Sequence, residues 1–482
     1  MWSPNGDLIV VGGTKFDVSL TQFAARTVFA LDPRQASALG NSTLYPGEAG
    51  LWVEHFEQLE HVRYYPTATL THRLNRTNQK EVVLVLGGDT VLNGNPAQNP
   101  TWNTYEGVQV TGLVTPNSTG LTKDSITAGS TVIETFAGPG AVGISDDFLH
   151  FYPRAHLLTT GEVFFSAFAP LSARLNHESP GTWSFLAGHT PAVPAPPGVW
   201  GRPRAYGASV RYPNLGGLDN AIARIGGTEL NTMSPLPHTT NTVEICQADS
   251  TNPMAPGAQW FSGPSLNQPR VTLNTVILPD ASLLALGGAN VYQIDPDISI
   301  PLRTPEHFVA GTSSWTELTW APARSDHAYH STAMLLPDGR VLLAGGDLRQ
   351  IDYEIFTPPY FLPDQGPEIE IPIQPQNVTI VGVAPDPTDD AFHLSYGGTF
   401  TALCDALPFG VAVQKVVLMA PGSTTHHSDM CQRYHELVVV PKAPNRIGFT
   451  MPPDDRTLPR GFYMLFLMTN TGVPAHAIWV RL

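Results

Sequence analysis

Charge is scarce in this chain. Asp, Glu, Lys and Arg together make up 14% of its 482 residues, and the balance is acidic, with a formal net charge of -15. An acidic surface does not hold nucleic acid or an anionic membrane by electrostatics. Cysteine is scarcer still: Cys246, Cys404 and Cys431 are the full set, and no CxxC pair exists. A thiolate zinc site is thereby excluded, although Cys404 and Cys431 lie in one region where a disulfide is open to them. No apolar run is long enough to cross a bilayer. The opening Met1-Trp2-Ser3-Pro4-Asn5-Gly6 has neither a basic segment nor an apolar one, so it is not a signal peptide and reads instead as the middle of a strand–turn–strand unit.

What the chain has in quantity is glycine (43) and proline (45). Such a composition supplies many turns and short strands rather than long solvated helices, and the length suffices for a large repeat domain with a smaller one beside it. Four N-x-S/T sequons, at Asn41, Asn75, Asn117 and Asn377, permit a secreted glycoprotein.

One pattern recurs along the chain: an apolar strand, a turn of Pro, Asp, Asn and Gly, a second apolar strand, then often Gly-Gly. PNGDLIVVGG ends at Gly12-Gly13. RYYPTATL with EVVLVLGGD ends at Gly87-Gly88. The third copy, FYPRAHLLTTGEVFFSAF, is weaker. PRAYGASVRYP with AIARIGG ends at Gly226-Gly227, PRVTLNTVILPDASLLALGG at Gly287-Gly288, and AYHSTAMLLPDGRVLLAGGD at Gly345-Gly346. A period of roughly 60 residues leaves room for four strands per copy, a little more than a typical kelch blade. Radial repetition of such units is a β-propeller, and glycine pairs at strand ends suit close backbone packing near its channel. The rival is an array of β-sandwiches, which the regular Gly-Gly placement opposes. The repeat stops after Asp347, and prolines 358, 359, 363 and 367 mark a junction. Beyond it VQKVVLM, HELVVV and GFYMLFLM read as strands of an immunoglobulin-like sandwich. The expected organisation is an all-β chain, with a kelch-like propeller over 1–362 and a sandwich over 367–482.

Polar side chains stand at two unusual places. Tyr329 and His330 sit side by side where the strand of the sixth repeat should be gaining apolar residues. They either pack and cap the strand, or place an oxygen and a nitrogen near the propeller axis, a combination that suits Cu(II). The loop between VQKVVLM and HELVVV carries His426 and His427, which either meet solvent or complete a site with Tyr329 and His330. Arg63-Tyr64-Tyr65-Pro66-Thr67 occupies the same place in the second repeat as Ala328-Tyr329-His330-Ser331 does in the sixth. Tyr65 is therefore either a strand aromatic or a residue facing Tyr329. A Ser-His-Asp hydrolase built on Ser331, Ser428 and Asp429 lacks a nucleophile-elbow GxSxG.

These segments resemble the copper radical oxidase family, which includes glyoxal oxidase and galactose oxidase. AYHSTAMLLPDGRVLLAGGD is similar to the family's segment with an axial tyrosine and an equatorial histidine, matching at Tyr329 and His330. TTHHSDMCQR resembles its T-H-x5-Q-R segment, whose spacing selects His426 over His427. RYYPTATL resembles its R-x-Y segment, which selects Tyr65 as the radical tyrosine. LPRGFYMLFLMTNTGVPAHA is similar to the family's last strands. The resemblance implies a seven-bladed propeller, Cu(II) held by Tyr65, Tyr329, His330 and His426, and a tyrosyl radical on Tyr65. It also implies secretion, a monomer, and partners limited to a small aldehyde or alcohol and O2. The R-Y-Y-P form is closer to glyoxal oxidases, and Asp89-Thr90 stands where galactose oxidases carry a tryptophan. Small aldehydes or α-hydroxycarbonyls, oxidised to acids with release of hydrogen peroxide, are therefore the expected substrates.

One departure matters. In the family a cysteine is joined to the radical tyrosine by a thioether, about nine residues before the turn glycine that here is Gly6, so its counterpart falls just ahead of Met1. With the missing leader and six repeats against seven blades, this suggests a chain begun at an internal methionine. A non-catalytic kelch scaffold or glycan-binding protein is the alternative expectation.

Overall fold

The computed structural model describes residues 153–166, 204–213, 220–229, 238–249, 260–291, 300–346, 352–362, 374–424 and 426–482, together with isolated strands within 8–123 and 172–186. Among these the chain is strand and turn, with a single 3-10 turn at Pro359–Phe361 and no α-helix. No described helix is long and apolar enough to cross a membrane.

Six antiparallel sheets follow one another along the chain, one for each repeat, and in each the strands lie side by side in sequence order. The first pairs Leu8–Val11, Val28–Leu31 and Trp52–Glu54. The second runs Thr67–Leu70, Glu81–Leu86, Tyr105–Val110 and Leu121–Lys123. The fourth runs Ala208–Arg211, Ala221–Ile225, Val243–Gln247 and Phe261–Gly263, and the fifth Asn274–Ile277, Leu283–Leu286, Glu306–Phe308 and Thr316–Glu317. Ser331–Leu335, Val341–Gly345 and Tyr353–Phe356 make the sixth. Meandering sheets of this kind are propeller blades. The weak third repeat folds like the others, through Ala155–Leu157, Val163–Phe165, Ser172–Asn176 and Thr182–Leu186. In it Phe164 and Phe165 are buried, and the indole of Trp260 donates to the Ser172 hydroxyl at 2.8 Å.

The repeated turns form for a local reason. In the sixth blade Gly339 takes a φ of +83°, its N–H donates to Leu336 O, and the Leu336 N–H donates to Arg340 O at 2.8 Å. This is the three-residue hairpin loop with glycine in the left-handed position. The fifth blade makes the same turn with Ala281 at φ +69°, while Asp280 accepts hydrogen bonds from the Ser282 N–H and hydroxyl.

The glycine pairs join one blade to the next. The Gly227 N–H donates to Arg270 O at 2.8 Å, and the Gly288 N–H donates to His327 O at 2.7 Å. A Cβ at Gly287 would fall 2.1 Å from His327 O, and one at Gly226 would fall 2.4 Å from Arg270 O. Side chains that open the next blade close the joint. The fully buried Arg270 donates to Gly287 O at 2.8 Å and to the fully buried Glu306 carboxylate at 3.1 Å. One blade on, His327 is hydrogen-bonded to Gly345 O at 2.7 Å and to Glu354 at 3.2 Å. Burial works to raise the Glu354 pKa, but hydrogen bonds from the Arg324 and Ser325 N–H groups and from His327 hold it below the ordinary range.

After these blades come two packed sheets. One orders Thr379–Ile380, Thr399–Leu403, Arg446–Thr450 and Val438–Ala443. The other orders Phe392–His393, Ile478–Arg481, Phe462–Thr469, Val413–Met419 and Tyr434–Glu436. The segment FYMLFLM shows why this sandwich sits where it does. Tyr463, Leu465 and Leu467 join the sandwich core. The alternate residues Met464, Phe466 and Met468 join a second core, shared with the apolar residues of the fourth to sixth blades. A strand buried on both faces reads as a continuous apolar run, and this one does. Cys404 and Cys431 are thiols, so the disulfide open to them in sequence is not formed.

Candidate metal centre

Tyr329 and His330 end the segment that enters the strand Ser331–Leu335. The loop 420–433 connects Val413–Met419 to Tyr434–Glu436 and is held over that strand by a set of hydrogen bonds. The Thr424 hydroxyl donates to Ala333 O at 3.0 Å, and the His427 N–H donates to Ser331 O at 3.2 Å. Gln432 spans to the neighbouring blade: its amide donates to Thr275 O at 2.8 Å and accepts from the Ile277 N–H at 3.0 Å. Asp429 turns the loop back on itself by accepting from the Cys431 and Gln432 N–H groups at 2.9 and 3.1 Å. Gly422 fits where a Cβ would stand 2.8 Å from Asp429 and 3.0 Å from Met334.

These anchors bring the sequence-predicted side chains together. The Tyr329 and His330 rings lie 3.9 Å apart, centroid to centroid, and the His330 and His426 rings 4.6 Å apart at 74°. Tyr329 to His426 is 5.9 Å. The His427 ring lies 6.3 Å from that of Tyr329 and is buried. His330 is exposed, so the cluster has an open side, whereas His426 and Tyr329 are half-buried. Tyr65 falls outside the described residues.

The backbone here is strained. Among the described residues, eight non-glycines have positive φ, and four of them are Tyr206 (+54°), His330 (+64°), His426 (+50°) and His427 (+59°). Left-handed backbone in residues of this size is costly and concentrates where a site requires a particular aim.

Burial, reinforced by the neighbouring His330, pushes the His426 pKa down to about 3. Its imidazole is therefore neutral, with a ring lone pair, across the ordinary pH range. Two imidazoles and a phenol on one face form an N, N, O donor set, which suits Cu(II) better than calcium or magnesium. A second titratable cluster, Asp386, Asp389 and His393, is different in kind: Asp389 already meets His393 at 2.9 Å and Arg481 at 3.0 Å, so its charge is answered. The hydrolase option finds no support, because the Ser331 hydroxyl is buried and accepts from the Asn274 amide at 2.8 Å, while Asp429 is taken up by backbone N–H groups.

Tyr206 was not anticipated. Its ring lies edge-on to Tyr329 at 6.2 Å and 80°, and 6.4 Å from His427. A signal existed. Tyr206 stands two residues before its blade's opening strand at Ala208, as Tyr329 does before Ser331 and Tyr65 before Thr67.

Comparison with known proteins places these observations. Residues 383–482 match the family described as galactose oxidase-like, early set domain. The chain is 29% identical over 227 residues to a galactose oxidase of Gibberella zeae, a match covering 46% of this chain and 30% of that protein. It is 31% identical over 181 residues to the aldehyde oxidase GLOX of Vitis pseudoreticulata, covering 34% of this chain and 32% of the relative. The chain thus spans about a third of the length of the curated relatives it matches. A solved fungal alcohol oxidase of the AA5 family, in complex with copper, superposes with a TM-score of 0.66 over 98% of this chain and 85% of that one, at 19% identity. That likeness establishes the fold: a kelch-type propeller followed by an early-set, immunoglobulin-like sandwich. The resemblance to galactose and glyoxal oxidases is borne out by the terminal domain and by these relatives.

Proposed function

We propose that this chain, galactose oxidase-like in its terminal domain and in its relatives, is a copper radical oxidase of the glyoxal oxidase kind. It oxidises small aldehydes or α-hydroxycarbonyls with dioxygen to carboxylic acids and hydrogen peroxide. The observation that carries this reading is the convergence of Tyr329, His330 and His426 at ring separations of 3.9 to 5.9 Å. We place the propeller over 1–362 and the sandwich over 367–482, so that the site draws Tyr65, Tyr329 and His330 from the first and His426 from the second.

Tyr65, Tyr329, His330 and His426 would hold the metal, which supplies Lewis acidity and a one-electron redox couple. His426, kept neutral by burial, and His330 would offer ring nitrogens. Tyr329 receives the proton of the substrate's hydroxyl, or of the aldehyde hydrate, a role open to a phenol only when its pKa is brought below the ordinary value of about 10. Tyr65, as the one-electron carrier, takes the hydrogen on the same carbon. Loss of that proton, of the hydrogen atom and of one further electron, which the metal's one-electron couple would accept, oxidises the substrate by two electrons; dioxygen takes up the two electrons and two protons and leaves as hydrogen peroxide. The open side beside His330 admits a small substrate. Secretion and a monomeric state complete the reading.

A second reading is a binding scaffold without turnover. A peroxide assay on methylglyoxal, glyoxal and galactose with copper-loaded protein separates the two. Peroxide from the aldehydes upholds the oxidase, peroxide from galactose alone shifts the substrate to primary alcohols, and copper-free, inactive protein leaves the scaffold.

A further inference from the structure

Tyr206 has no place in the ligand set proposed above, yet the fold goes to some length to put it beside Tyr329. Its φ of +54° lies in the left-handed region that glycine and asparagine occupy at little cost and tyrosine does not. The neighbours fix that conformation. The Tyr206 carbonyl accepts the Thr272 N–H of the next blade at 2.7 Å. Gly207, which follows, approaches the glycine pair of its own blade so closely that a Cβ would fall 2.7 Å from Gly226 O. The joint between the fourth and fifth blades thus holds the peptide that leads out of Tyr206. A glycine would satisfy the same backbone without strain, so the side chain is what the strained position delivers.

That side chain is half-buried and presents its ring edge-on to Tyr329, at 6.2 Å and 80°, with His427 6.4 Å away. Edge-to-face geometry at this separation is the favoured arrangement of an aromatic pair. We infer that Tyr206 is a positioning residue: its ring packs against Tyr329 and sets the orientation of the phenol proposed as metal ligand and base. The inference rests on the copper reading, and it assigns the role to the ring rather than to the hydroxyl.

The test uses the whole protein in four forms: wild type, Tyr206→Phe, Tyr206→Asn and Tyr206→Leu. Each is titrated with Cu(II) and followed by electron paramagnetic resonance and by phenolate-to-copper charge-transfer absorption, with a thermal melt alongside. Tyr206→Phe should reproduce the wild-type spectrum and affinity. Tyr206→Asn, whose side chain tolerates the left-handed backbone, should fold, shift the charge-transfer band and weaken copper binding roughly two- to tenfold, the size of one aromatic pair. With substrate present, kcat should fall while KM holds. Wild-type spectra in both the Asn and Leu variants would overturn the inference while leaving the copper reading intact. Loss in Tyr206→Phe equal to that in Tyr206→Asn would move the role to the hydroxyl and overturn it too. Folding of the Phe variant alone would reduce Tyr206 to a structural part. Wild-type protein that takes up no copper would overturn the copper reading itself.

Discussion

Replacing Gln432 with alanine should both destabilise the protein and loosen the proposed metal centre. The Gln432 amide makes two hydrogen bonds to the backbone of the strand Asn274–Ile277, donating to Thr275 O at 2.8 Å and accepting from the Ile277 N–H at 3.0 Å. A net worth of about 0.5–1.5 kcal/mol for each bond gives a loss of roughly 1–3 kcal/mol, toward the upper end because both backbone groups are partly buried. The same bonds hold the loop that carries His426, so part of the loss should reappear as weaker copper binding. Each 1.4 kcal/mol of it corresponds to a factor of about ten. Urea unfolding of the copper-free protein measures the first quantity and competitive Cu(II) titration the second. Gln432→Glu provides a control: it keeps the acceptor for Ile277 but turns an oxygen toward Thr275 O, so it should be no better than alanine. If Gln432→Ala unfolds within about 0.5 kcal/mol of wild type and binds copper unchanged, the reasoning about this loop is wrong.

Other expectations follow from the same structure. Arg270→Met leaves the Glu306 carboxylate buried without its partner and should cost about 3–5 kcal/mol in a thermal or urea melt, whereas the double substitution of Arg270 and Glu306 by methionine should recover much of the loss. Ala281→Gly relieves a φ of +69° in the fifth-blade turn and should stabilise by up to about 1 kcal/mol, seen as a raised melting temperature. Burial, with Arg211 and Arg433 nearby, lowers the His435 pKa to about 4. The unfolded chain then binds the extra proton between about pH 6.5 and pH 4. The stability from keeping this imidazole neutral is complete above pH 6.5 and lost as the pH falls toward 4, by on the order of 2 kcal/mol for a half-buried group. Urea midpoints at pH 7 and pH 4.5 test this. The fall should shrink in His435→Gln, and equal midpoints for the wild type would contradict it.

Much of the fold was legible because short-range chemistry dictates it. The turns at Pro279-Asp280-Ala281 and Pro337-Asp338-Gly339 announce their hairpins, and the six repeats correspond to six sheets. The run FYMLFLM announces a strand buried on both faces. The glycine pairs were legible as close-packing points, but their partners were not: they meet the entering segments of the next blade at Arg270 and His327, a contact that arises only when blades stack. The candidate metal centre was half legible. The spacing from His426 to Gln432 marks the loop, and the reason for the glutamine lies in a strand some 155 residues away. Tyr206 stayed hidden because a tyrosine before a strand reads as packing. Its place two residues before the strand matches that of Tyr329, but the positive φ and the neighbouring Tyr329 ring that give the match meaning are not written in the local sequence.

The measurement that bears most directly on the proposed centre is a Cu(II) titration followed by electron paramagnetic resonance, on wild type, His330→Ala, His426→Ala and Tyr329→Phe. The geometry predicts one copper per chain with two nitrogen ligands in the wild type. Affinity should be at least about a hundredfold weaker in either histidine variant, and copper retained with an altered spectrum in Tyr329→Phe. Copper bound as tightly in both histidine variants as in the wild type would contradict it.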